Sequence, residues 1–192
     1  MRKIIVSMNI TLDGFMAGPG GELDWHLEKW TEDMAEWFGM QLSNADTLLL
    51  GHYTYDAMAA YWPARSVEIA ANRGDIAFAD MMNNYTKIVF SRKNMPLQWQ
   101  NSTLVTKNVY KTLASLKQGP GKNMMVLGSG KLVESLVSNA LIDEYILWLH
   151  PVILGSGRTF FTGINNHVHL QLNKIKTFRS GVIAFCYTVL KD

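Results

Sequence analysis

The chain carries 192 residues, 18 basic against 16 acidic side chains for a net charge of +2, 48% hydrophobic residues and one cysteine. That length suits one domain, and the balanced charge, with no basic cluster, excludes the electrostatic footprint of a nucleic-acid binder. A lone Cys186 excludes an internal disulfide framework and a multi-cysteine zinc site, and no run approaches the ~20 apolar residues of a membrane-spanning helix.

The first element is a buried strand over Lys3 to Ile10, followed by a long glycine-rich loop, Thr11 to Gly21. A loop of that length in a compact domain is usually functional, and its glycines permit the backbone changes of a closing lid. A helix follows over Thr31 to Ser43, where Trp30, Met34, Trp37 and Phe38 recur at helical spacing as a core-facing stripe. Strands are expected near Thr47-Leu50, Thr86-Phe90, Thr103-Val105, Met124-Leu127 and Glu144-Leu149. Helices are expected between them near Thr54-Ala60, Asp75-Asn83, Val109-Lys117 and Lys131-Ser138. This alternation predicts an α/β fold whose central sheet is mostly parallel, with helices on both faces. Leu170 to Thr177 and Val182 to Leu190 flank Arg179-Ser180-Gly181, so the sheet is expected to finish with an antiparallel hairpin. Cys186 falls within that last strand and reads as core packing. No repeat or linker divides the chain, which is read as a single domain over 1–192. Met1-Arg2-Lys3 leads into an apolar run too short for a secretory signal, so the expected compartment is the cytoplasm.

Two of the apolar runs end on glycine and pass directly into a helix: Leu48-Leu49-Leu50-Gly51-His52-Tyr53-Thr54 and Val126-Leu127-Gly128-Ser129-Gly130-Lys131. Glycine lets the backbone approach a phosphate, and each helix start adds unpaired N–H groups and about half a positive charge. Either turn alone reads more readily as an ordinary strand-to-helix connection; the pair predicts a dinucleotide with two phosphates. A Rossmann fingerprint is lacking after the first strand. Instead Lys87-Ile88-Val89-Phe90 runs into Ser91-Arg92, a hydroxyl beside a forked cation suited to a phosphate monoester, which favours NADPH over NADH.

Together these elements resemble the dihydrofolate reductase superfamily, and more closely the reductase domain at the C-terminus of the bifunctional riboflavin-synthesis protein RibD. The resemblance is carried by Leu12-Asp13-Gly14, Leu49 to Tyr55, Val89-Phe90-Ser91-Arg92, Val126 to Leu132, Leu141-Ile142-Asp143-Glu144 and His150 to Gly157, in that order. It implies a dihydrofolate reductase-like fold and a homodimer. It implies that Gly51, His52, Tyr53 and Thr54, with Gly128, Ser129, Gly130, Lys131 and Leu132, flank the NADPH pyrophosphate, and that Ser91 and Arg92 lie near the adenosine 2′-phosphate. The implied reaction is the 5-amino-6-(5-phosphoribosylamino)uracil reduction of riboflavin synthesis. The sequence departs from that pattern at three places. The zinc-deaminase signature is absent, Leu127 replaces a glutamate, and Met58-Ala59-Ala60 replaces an Asp-Asn-Pro segment that contacts substrate.

Substrate contacts are expected from the lid and from aromatic residues. Phe15 and Met16 are placed to cover the nicotinamide, and Asp13 either shapes the loop or meets the substrate. Trp25, Tyr61 and Trp62 offer stacking surfaces, and Arg158, in the third glycine turn Gly155-Ser156-Gly157-Arg158, offers a contact to an anionic group. The proton donor is unassigned. His26, His52, His150, His167 and His169 lack metal-ligand spacing, so no metal is expected, although His167 and His169 would share one face of a strand. The expected function is NADPH-dependent reduction of a small heterocyclic or carbonyl-type compound. The alternatives are a dihydrofolate-type pterin reductase, which would use an acid from Glu32, Asp33 or Glu36, and a non-catalytic NADP-binding module.

Overall fold

The computed structural model describes residues 1–65, 73–164 and 167–191. Apolar, β-branched runs bounded by turn residues form the strands β1 (Ile4–Thr11), β3 (Ala45–Gly51), β4 (Thr86–Phe90), β5 (Ser102–Val105), β6 (Asn123–Val126), β7 (Glu144–His150), β9 (Leu170–Thr177) and β10 (Ile183–Val189). They make one eight-stranded sheet in the order β5-β4-β3-β6-β1-β7-β10-β9. The first six of these are parallel to one another, while β10 is antiparallel to both β7 and β9. The predicted hairpin turns at Gly181, whose positive φ of 83° suits a residue without a side chain.

Parallel strands need crossover helices, and these bury both faces of the sheet. On one face lie α2 (Glu32–Leu42), α3 (His52–Arg65) and α4 (Arg73–Asn84), packed through Met34, Trp37, Phe38, Tyr55 and Met82 onto Leu48, Leu50, Val89 and Trp148. The aromatic stripe of α2 faces this core, as its spacing predicts. On the other face α5 (Val109–Gln118) and α6 (Gly130–Ser138) bury Leu113, Leu132, Val133 and Leu136 against Ile4, Val6, Leu49 and Val126.

The segment expected as a loop over Thr11 to Gly21 holds a short strand, and a short helix follows it. Strand β2 (Phe15–Ala17) pairs antiparallel with β8 (Arg158–Thr159), and α1 (Asp24–Leu27) carries Trp25. Two further expectations are corrected. Helix α3 runs past Ala60 to Arg65, so Tyr61 and Trp62 sit within the helix, not after it. His167 and His169 precede β9 and so do not share a strand face.

Candidate active site

The C-terminal ends of β3 and β6 are neighbours, which joins the two glycine turns into one structure. The Gly51 N–H donates to the Gly128 carbonyl at 3.0 Å. A side chain at Gly51 would collide with Ser129 Oγ, and a Cβ at Gly128 would stand 2.7 Å from Thr54 Oγ1. Gly128 has φ of +125°, and its peptide bond to Ser129 is cis. Helix α3 begins at His52 and α6 at Gly130, so two first turns with unpaired amide groups flank the joined glycines. The Ser129 carbonyl accepts the amides of Leu132 and Val133. Leu132 itself is buried in the core with its amide bonded to the Ser129 carbonyl, so it anchors the helix start. Lys131 is exposed beside Gly130.

Ser91 and Arg92 follow β4, the neighbour of β3, and so come beside the start of α3. Ser91 Oγ lies 3.4 Å from His52 Nδ1 and donates to the Lys93 carbonyl at 2.8 Å. On its other side His52 Nε2 meets Asp56 Oδ2 at 2.9 Å, and its ring stacks on Tyr53 at 5.3 Å. Tyr53 and Arg92 are exposed. His52, Tyr53, Ser91 and Arg92 thus form one polar margin next to the glycine pair.

The glycine-rich segment closes over the neighbouring part of this edge. Met16 lies against the start of α6, where a Cβ on Gly130 would stand 2.6 Å from its sulfur. The Phe15 ring lies against Gly157, whose missing side chain leaves room for the Ala17 carbonyl. Asp13 accepts the Thr11 hydroxyl at 2.6 Å and the Gly155 amide at 2.8 Å; the Thr11 bond, first, holds its carboxyl below the ordinary range. The Arg158 guanidinium donates to the Gly20 carbonyl at 3.3 Å. Asp13, Phe15 and Arg158 are therefore brought together where the glycine-rich segment meets the turn at Gly155–Arg158. An Asp13 carboxylate that accepts backbone amides shapes these two loops.

Trp25 and Tyr61–Trp62 occupy different places. Trp62 makes ring contacts to Tyr61 at 4.9 Å and Phe78 at 5.1 Å, and the Arg65 guanidinium covers Tyr61 at 4.5 Å. Trp25, on α1, instead packs edge-on against His26 and His150, each 5.1 Å away between ring centres. His150 ends β7, and its Nε2 is 2.9 Å from Asn9 Oδ1 on β1. Burial pushes both imidazoles down to about 4, with His26 adding to the shift of His150. Both rings are therefore neutral at pH 7. Their meeting is not readable from sequence spacing.

The inward positions of α2 are Met34, Trp37, Phe38 and Leu42. Glu32 and Glu36 are exposed, and Asp33 accepts the Thr31 hydroxyl and the Arg179 amide. No α2 carboxylate is thus turned into the core face. Among the described residues, no group of three or more His, Cys, Asp or Glu is placed to hold a metal ion, and no helix is long and apolar enough to cross a membrane.

A mostly parallel eight-stranded sheet with helices on both faces, closed by antiparallel C-terminal strands, defines a dihydrofolate reductase-like α/β protein. The model of the RibD C-terminal domain matches residues 2–184, and the chain belongs to that family. YyaP of Bacillus subtilis strain 168, an uncharacterized protein, is 30% identical over 186 residues, covering 97% of this chain and 94% of its own. A putative riboflavin biosynthesis protein from Shewanella sp. PV-4 superposes with a TM-score of 0.75 at 20% identity, covering 98% of this chain and 99% of that one. Dihydrofolate reductase from Enterococcus faecalis, complexed with NADP(H) and RAB-propyl, gives 0.61 at 15% identity, covering 98% and 97%.

Proposed function

We propose that this chain is an NADPH-dependent reductase of a small heterocyclic or carbonyl-type compound. The observation that carries this reading is the joined pair of glycine turns, Gly51 bonded to Gly128 with a helix starting beyond each. The residues fit the cofactor. Free amides of two helix starts suit a diphosphate, and the hydroxyl of Ser91 and the exposed cation of Arg92 suit a further phosphate on the adenosine. The enzyme of like fold from Enterococcus faecalis was solved with NADP(H), which supports the choice. NADPH supplies the hydride. The chain's own task is to hold donor and acceptor about 3–3.5 Å apart and to keep water out, and Met16, over the start of α6, suits that exclusion.

The family carries 5-amino-6-(5-phosphoribosylamino)uracil reduction as its implied reaction. Here Leu127, Met58 and Ala59 pack against the core and offer no polar group to a ribityl phosphate, so the substrate class stays broader. The pterin alternative loses its support in the exposed or internally bonded acids of α2. We further propose a homodimer.

Fluorescence titration with NADPH and NADH tests the reading. Arg92→Ala is expected to weaken NADPH at least tenfold and NADH less than twofold. Equal loss for both cofactors would reject the 2′-phosphate assignment, and no binding of either would reject the reductase. A screen of heterocyclic and carbonyl compounds for NADPH oxidation then separates an enzyme from a binding module.

A further inference from the structure

The charges of this chain balance in number but not in place. Between Asp80 and Glu134 there is no acidic residue, and between Asp13 and Asp56 Lys29 is the single Lys or Arg. The acid-free stretch supplies β4, β5, α5, β6 and the start of α6. The base-poor stretch supplies the glycine-rich segment, α1, α2, β3 and the start of α3.

The sheet turns this pattern into a field at one edge. Val105, the last residue of β5, lies opposite Phe90, the last of β4, so the turns that follow leave the sheet side by side. Arg92 and Lys93 stand on one turn and Lys107 on the other, and all three are exposed. Lys131, also exposed, stands in the first turn of α6, beyond β6. In the order β5-β4-β3-β6-β1 these cations flank β3 on both sides. Asp56, the one acid of α3, is paired with His52 Nε2. Among the described residues none of the four cations has an ion-pair partner. One strand beyond β6, the end of β1 leads into the segment that carries Asp13, Glu22 and Asp24, so the edge runs from positive to negative across the joined glycine turns.

Unpaired surface cations contribute little to stability, but charges of one sign along a cleft sum into a potential that draws an opposite charge in from solvent. Three inter-strand steps separate the ends of β5 and β6, about 14 Å in all. The screening length is roughly 30 Å at 0.01 M ionic strength and roughly 8 Å at 0.15 M, so the four cations act as one body on an approaching anion only at low salt.

We propose that Lys93, Lys107 and Lys131, together with Arg92, form a capture edge that guides NADPH to the glycine turns and orients it on the way. Its diphosphate and phosphate monoester are drawn toward β4 and β5, and its uncharged dihydronicotinamide end is left toward the acidic glycine-rich segment. The inference rests on the reductase reading and adds a kinetic part to cofactor choice. Arg92 meets the bound monoester, whereas Lys93 and Lys107 act before contact, on the rate of arrival. NADH lacks the monoester and is drawn in more slowly.

Stopped-flow fluorescence of the full chain mixed with NADPH or NADH gives kon and koff. For the native chain, kon for NADPH is expected to fall at least fivefold between about 0.01 M and about 0.15 M salt, and kon for NADH by a smaller factor. The double variant Lys93→Glu/Lys107→Glu is expected to lower kon for NADPH at least fivefold at the lower salt while koff changes less than twofold. The loss is expected to vanish at about 1 M salt, where screening shrinks to roughly 3 Å. Lys122→Glu, a charge reversal at the opposite end of the sheet, is expected to change kon less than twofold. A kon indifferent to the double variant, a loss that sits in koff, or an equal loss in Lys122→Glu overturns the proposal. If NADPH binds without these charge effects, the capture edge falls and the reductase reading stands; if NADPH does not bind, both fall.

Discussion

A lysine ammonium is expensive to enclose, yet Lys87 on β4 has no exposed surface. Its Nζ donates to the Asn83 carbonyl and lies 4.4 Å from the centre of the Trp99 ring. Burial pushes it down from 10.5 to about 8, so between these values the unfolded chain holds a proton that the folded chain has released. Stability therefore rises with pH across that window and carries its full penalty, up to about 3 kcal/mol, below it. Thermal unfolding of Lys87→Met, followed by circular dichroism, is expected to show a higher Tm than the native chain at pH 7 and a gap that narrows by pH 10. A gap independent of pH would contradict the assigned shift. At this scale the sequence reveals faces better than partners. The stripe of Met34, Trp37 and Phe38 is readable because a period of 3.6 reports which side of a helix is buried. The meeting of His26 with His150 depends on which strand lies beside β1, and no local pattern encodes that.

Elements are readable where their pattern of faces is clear; α3, with no strong apolar stripe, is underread at both ends. The expected bounds Thr86–Phe90 and Leu170–Thr177 recur unchanged in β4 and β9, whose residues alternate between faces or form a buried run. Three-residue β2, two-residue β8 and four-residue α1 are too short to show a period, and their glycine-rich setting reads as loop. The joined glycine turns were legible as two separate signals, because each has its own strand and helix; their contact was not. Strand β2 can pair with β8 because Gly157 admits the Ala17 carbonyl. Gly157→Ala puts a methyl into that space, and hydrogen exchange at the Phe15 and Ala17 amides is expected to quicken at least tenfold while the β1–β7 ladder keeps its protection. Equal protection in both proteins would show that the pairing does not depend on this close approach.

For the molecule as a whole, alternation of strands and helices conveys the class of sheet but not the order of its strands. That order leaves β9 at an edge, where among the described residues it pairs with β10 alone. Leu172 lies opposite Tyr187 and Ile175 opposite Phe185, so the four share a face; Leu172 is 46% and Ile175 53% exposed. The proposed homodimer would cover this apolar surface. Sedimentation is expected to give a dimer for the native chain and a folded monomer for Ile175→Lys. A native monomer, or a dimer indifferent to the charge, would remove this face from the interface.

The amide of Gly51 tied to the carbonyl of Gly128 has a geometric corollary. Adjacent strands are spaced about 4.8 Å apart, and the tie keeps the two helix starts from drifting beyond that interval. Under the reductase reading the sheet edge works as a gauge. A pyrophosphate bridges both prongs at once, whereas a nucleotide with one phosphoryl group engages a single prong and leaves the other to solvent.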